Sequence, residues 1–226
     1  MAIFKLSTGR SVFYLSFFMA ANFIFSSCFY SNKATQRLFE KASLEEYDII
    51  VVPGVPLENG KWSRTMKGRI FWATYLYKKG IAKNIMFSGS AVSSPYYEGV
   101  VMGLYAVALG VPKDHVFAEI KAEHSTENIY YGYHLAKELG FKKIALASDI
   151  FQTKTLKKFT KKSVSPDVAM IPMVTDTMKV LNLSIPDPAI DITQAFVKDY
   201  IPLKKKYGFF KRLRGTMGYN IKKVAK

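Results

Sequence analysis

The chain has 226 residues, 49% hydrophobic and 15% aromatic, with a formal net charge of +16. This is enough apolar material for one domain with a real core and room for appendages. The single cysteine, Cys28, excludes an internal disulfide framework and a cysteine-rich metal site, while the charge points to an anionic neighbour: nucleic acid, a membrane surface or an acidic substrate.

In chain order, Lys5 and Arg10 form a basic start, residues 12–25 are an apolar run too short to span a bilayer comfortably, and Ser26 and Ser27 lead into Cys28. That order predicts a lipoprotein signal over 1–27, with Cys28 lipidated and the domain held at a bacterial membrane outside the cytoplasm. The "FSSC" ending departs from the common form at Phe25. An uncleaved anchor and an ordinary buried cysteine are the alternatives. Residues 28–46 read as a tether and lead-in helix.

From 47 the period changes. The run "YDIIVVPG" predicts a buried strand over 47–54, and the apolar face of 64–80 predicts a helix stopped by Gly80. Strands over 83–90, 115–119, 142–148 and 167–173 alternate with helices over 97–109, 126–139 and 152–160. Such alternation predicts βαβ units: a Rossmann-like three-layer α/β fold with a mostly parallel sheet, over 47–175. The strands are almost wholly apolar, as burial on both faces requires. Beyond that lies an extension, 176–226, with an irregular "IPDPAID" loop, a predicted helix over 192–207 and a basic tail. The tail carries nine Lys/Arg and no acid from Lys204 to Lys226, and a second basic cluster covers 154–162. No zinc-ligand spacing or RNA-binding aromatic signature accompanies them, which disfavours nucleic acid.

In an open parallel sheet, ligands bind beyond the carboxyl ends of the strands. Those ends carry "PGVPLENGKWSR", "SGSAVSSPYYEG", "KAEHSTEN" and "SDIFQTK", whereas the opposite ends carry "KKG", "GVPK" and "GFKK". The asymmetry predicts one cleft lined by Arg64, Arg69, Ser88, Glu98, Ser125, Glu127, Asn128 and Asp149. Each residue also has a plainer explanation. Ser125 and Thr126 suit a helix N-cap, Glu98 and Glu127 suit a first helical turn, and Asp149 suits a cap. Gly89 suits a tight turn, the arginines suit a solvated face, and His124 reads as a surface histidine rather than a base.

With those loops in view, the chain resembles the SanA/ElyC/YdcF family of bacterial envelope proteins, over about 47–159. The motifs are "DIIVVPG", "WSRTMKGRIFWATYLYKKG", "NIMFSGS", "YYEGVVMGLYAVALGVPKDHVFAE", "STENIYYG" and "ALASDIFQTK", specific as a series. Two departures stand out. "PGVP" replaces a glycine run, and Gln152 stands where many members have a histidine, so this position binds but does not titrate. The resemblance implies a Rossmann-like fold and a setting in envelope barrier function, peptidoglycan or lipid-carrier metabolism. Some relatives are linked to S-adenosylmethionine, which fits poorly with an exported domain, and the cofactor stays unassigned.

Two functions follow as expectations. One is an enzyme acting on a phosphorylated or glycan-linked substrate, with Glu98, Glu127 or Asp149 as acid, base or metal ligand. Arg64, Arg69, Gln152 and the segments Gly54, Ser88–Ser90 (with Gly89) and Ser125–Asn128 (with Thr126) would bind the anion. No motif calls for a metal. The other is a non-catalytic ligand-binding or scaffold protein using the same cleft. Either way the partners are an anionic small molecule or lipid-linked precursor, and a membrane reached through the lipid anchor and the basic tail.

Overall fold

The computed structural model of the protein describes residues 30–181 and 184–222. The signal segment and Cys28 lie outside the described residues. Short β-branched runs make the strands: β1 (Ile49–Pro53), β2 (Ile85–Ser88), β3 (Val116–Glu119), β4 (Ile144–Ser148) and β5 (Ala169–Pro172). The longer amphipathic stretches make α1 (Asn32–Ala42), α2 (Arg64–Lys78), α3 (Glu98–Ala108), α4 (Ser125–Glu138) and α5 (Ile150–Phe159), the last prolonged by a π-helical turn, Thr160–Val164. Short helices α6 (Thr175–Val180), α7 (Leu203–Lys206) and α8 (Phe209–Thr216) follow among the described residues.

The strands form one parallel sheet in the order β3-β2-β1-β4-β5. Every residue of β1, β2 and β4 is buried, because helices cover both faces of the sheet's centre. Alternation along β1 sends Ile50 and Val52 into one core, with Trp72 and Phe87, and Ile49 and Val51 into the other, with Ile129 and Leu156. Thus α1, α2 and α3 pack on one face, and α4 and α5 on the other. The fold is a three-layer, Rossmann-like α/β arrangement. Its strand order reverses beside β1, between the β1–β2–β3 and β4–β5 halves, so the β1/β4 carboxyl ends are the crevice where such folds place ligands.

Helix α2 starts at Ser63, whose hydroxyl accepts the Met66 amide at 3.2 Å. Gly80 and Gly140, with φ of 71° and 88°, follow the ends of α2 and α4, as expected of helix stops. Helix α4 begins at Ser125 with His124 as its cap, one residue earlier than the hydroxyls predict, and no side chain caps it.

The extension differs from expectation. The helix predicted over 192–207 is instead a 3-10 turn, Ile192–Ala195, an irregular segment and the four-residue α7. Pro202 pushes Ile201 out of the helical region, and the irregular segment is held by other partners. Val197 donates its amide to Pro95 and Leu203 to Val92, while Tyr96 and Phe196 form an antiparallel bridge. The described part of the basic tail, 204–222, is not a loose strand in solvent. Its α8, absent from the sequence reading, packs on α4, and Ala195 and Leu203 are buried.

Candidate functional site

Arg69 decides the layout of the strand ends. It projects from the second turn of α2 and is buried. Its Nε and Nη2 donate to Asp149 Oδ2 at 2.9 and 2.5 Å. Its Nη1 donates to the carbonyls of Pro53 and Gly54 at 2.9 and 3.1 Å, and Nη2 reaches Gln152 Oε1 at 3.4 Å. The other Asp149 oxygen caps α5, accepting the Gln152 amide at 2.8 Å. Arginine and aspartate therefore saturate each other and tie the end of β1 to the end of β4. Such a charge-assisted fork is strong and geometrically specific.

That brace replaces the expected single cleft with two cavities. The larger, about 970 Å³, is lined by Arg64, Gly68, Arg69, Asp149, Ile150, Phe151, Met173, Met178 and Lys179 among others. The smaller, about 330 Å³, is lined by Gly54, Glu98, His124, Ser125 and Asn128 from the domain, and by Leu203, Arg212 and Thr216 from the extension. Arg64 thus lies on the opposite side of Arg69 from Glu98. The extension forms a wall of the smaller cavity, which no strand-end pattern in the sequence revealed.

Glu98 is the outstanding group. It opens α3 and is 6% exposed. No hydrogen bond to its carboxyl occurs among the described residues. Burial pushes its pKa up to about 8, against the opposing pull of the Arg69 charge. Its fit explains two glycines. A Cβ on Gly54 would lie 2.6 Å from Glu98 Oε2, and one on Gly89 would lie 3.0 Å from the same oxygen. Gly54 and Gly89, expected as anion-binding turn residues, are there to admit this carboxyl.

Around Glu98 stand polar atoms without partners. Arg212 Nε and His124 Nε2 are buried with no hydrogen-bond partner. The uncapped α4 leaves first-turn amides for a ligand, with Ser125 and Asn128 in the cavity wall. His124 is buried, not at the surface as its sequence context suggests. Its Nδ1 meets Glu127 Oε1 at 3.0 Å, and its ring lies so close to α8 that a Cβ on Gly215 would fall 2.3 Å away. Lys206 pairs with Glu123, and Thr126 donates to the Gly215 carbonyl at 2.9 Å, so the extension is fastened over the cavity.

The remaining predicted residues are placed as follows. Glu127 spends one oxygen on His124 and the other on the Glu123 amide, 2.7 Å away, which closes the turn before α4. Ser88 is fully buried, its hydroxyl 2.5 Å from Glu119 Oε2. Glu119 also accepts the Lys121 amide at 2.5 Å; burial raises its pKa, and the Ser88 hydroxyl and loop amides oppose that rise. Neither Ser88 nor Glu127 lines either of these two cavities. Ser90 is half-buried and orders the loops through its backbone: its amide donates to Ala122, and its carbonyl accepts from Glu98. Thr126 faces α8 and Gln152 braces Arg69. Sequence reasoning missed Glu119, Arg212 and Leu203. Position at the end of β3 was a signal that could have found Glu119, but nothing in a basic tail singles out Arg212.

Among the described residues, no group of three His, Cys, Asp or Glu side chains is placed to hold a metal ion. No helix among them is long and apolar enough to cross a membrane. No protein-family model, curated protein or solved structure matches this chain.

Proposed function

We propose that this is an exported, membrane-anchored envelope protein resembling the SanA/ElyC/YdcF family, acting on an anionic small molecule, phosphorylated or glycan- or lipid-linked, in peptidoglycan or lipid-carrier homeostasis. One observation carries the chemistry. Glu98 is a largely buried carboxyl whose pKa is pushed up to about 8, free of hydrogen bonds, in one cavity with Arg212, whose Nε is unpartnered, and with Ser125 and Asn128 from the uncapped start of α4. Perturbed groups in clefts mark functional sites. Arg212 and the α4 amides hold anionic oxygens. Glu98, protonated at neutral pH, gives its proton to the leaving oxygen as that bond breaks. Water takes the vacated bond and returns a proton to the carboxylate. The envelope setting rests on the motif series and the signal-like start at 1–27.

A second reading, non-catalytic binding, is favoured by a specific observation. Glu127 and Asp149 are committed to structural bonds and Gln152 cannot titrate, so none of these three supplies Glu98 with a partner base. One experiment separates the two. The full-length protein is heated with inorganic phosphate, pyrophosphate or a sugar phosphate, and phosphate release is measured in parallel. Catalysis requires release that Glu98→Gln abolishes while the thermal shift persists. A shift lost in Arg212→Ala, with no release, leaves binding alone. No shift with any probe sinks both readings.

A further inference from the structure

Helix α5 and its π-helical turn carry five lysines, Lys154, Lys157, Lys158, Lys161 and Lys162, lining one depression of about 500 Å³. From 150 to 166 there is no acid, and none of the five has an ion-pair partner among the described residues. An adjoining cavity runs from Lys158, Phe159 and Lys162 to Met217 and Tyr219 beyond α8. The lysine face and the tail are therefore one continuous surface. Its tail part exposes Phe210 at 78% and Tyr219 at 69%, beside Lys211 and Arg214. Basic residues interleaved with exposed aromatic and apolar side chains, with no acid between them, are the chemistry of a headgroup-level contact.

The start of the described chain lies on the same surface. Lys154 Nζ sits 4.8 Å from the centre of the Tyr30 ring. Tyr30 is two residues from Cys28, within ~7 Å of it along an extended chain. Whatever holds residues 1–28 at a membrane holds this face against it.

We infer that the surface formed by Tyr30, the lysines of α5 and the outer side of α8 docks on an anionic lipid bilayer and sets the orientation of the domain. Its place beside Cys28 rests on the membrane-anchor reading; its charge and aromatic content do not. Since α8 also walls the Glu98 cavity, lipid contact and that cavity share one helix.

The test is lysine amine labelling of the full chain, mapped by peptide mass. It is run with vesicles of neutral phosphatidylcholine and with vesicles containing phosphatidylglycerol. Lys157, Lys158 and Lys162 are expected to label several-fold more slowly on the anionic vesicles only. Lys113, beside the opposite edge strand β3, should be unchanged. Each basic residue at such a surface is worth ~fivefold in partitioning, so Lys157→Gln/Lys158→Gln/Lys162→Gln should weaken the anionic increment ~100-fold. Phe209→Ser/Phe210→Ser should weaken it less. Equal labelling on both vesicles overturns the inference, as does protection by an oligonucleotide in place of anionic lipid. Failure of the chain to associate with neutral vesicles would instead count against the anchor, and leaves the anionic comparison readable.

Discussion

Two cavities flank one side chain at the strand ends, and their charges are used in opposite ways. In the larger, Arg69 and Asp149 are within hydrogen-bond reach of each other and of the backbone at every available angle, and the open rim carries Arg64. In the smaller, His124 Nε2 and Arg212 Nε are removed from water without a hydrogen bond to satisfy them, and the largely buried Glu98 carboxyl has no hydrogen bond either. A buried charge with its partner braces a fold. Buried polar groups left without partners cost stability. The contrast is why the proposed function is placed in the smaller cavity and a bracing role in the larger, although their residues come from the same loops.

The largest expected effect tests the brace. Arg69→Met leaves Asp149 without its cation and two carbonyls without donors. It should cost ~3 kcal/mol in denaturant unfolding, since removing one member of a buried pair strands the other. A loss below ~1 kcal/mol would remove the distinction between the cavities.

Next comes the pH dependence of Glu98. Its folded pKa, about 8, lies above its ordinary 4.5. The folded state therefore binds the proton more tightly than the unfolded one. This contribution is fully present below 4.5 and is lost as pH rises through about 8. Glu98→Gln removes the loss. Its stability relative to the natural protein should rise over that interval by on the order of a few kcal/mol, at ~1.4 kcal/mol per pH unit. A pH-independent difference would show that Glu98 is not the isolated acid described.

Gly54→Ala should follow at ~1–3 kcal/mol, because the new methyl lies 2.6 Å from Glu98 Oε2 and 2.8 Å from the Ser88 carbonyl. It should also shift the titration of Glu98, which calorimetry across pH would detect. Smallest is Arg64→Ala. The side chain is exposed, so stability should change by less than ~0.5 kcal/mol, and phosphate-probe binding at the Glu98 cavity should be unchanged. If Arg64→Ala abolished that binding, the two cavities would have to be one site.

Much of the fold was legible. The five strands and the helices between them follow from runs such as "DIIVVPG" and "KKIALAS", from the apolar face of α2 and from Gly80 and Gly140 as stops. Burial on both faces of a parallel sheet writes itself into sequence as continuous apolar runs. The extension was not legible, because α8 is short and its seat depends on one close approach, Gly215 over the His124 ring. The candidate residues gather at the strand ends as a set, while the contacts each one makes were not readable from sequence. An acid early in a helix looks the same whether it closes a turn, as Glu127 does, or faces a cavity, as Glu98 does.

The sequence by itself determined the layer architecture, the polar end of the sheet and the residues gathered there, because periodicity and strand-end composition are local properties. Only the tertiary structure decided which of those residues are spent on one another. Arg69 meets Asp149 across 80 positions, and Thr126 meets Gly215 across 89. Whether a carboxyl is saturated or left alone depends on such long-range neighbours. Its proton affinity is set by burial and nearby charge, which are properties of the folded surroundings rather than of the residue.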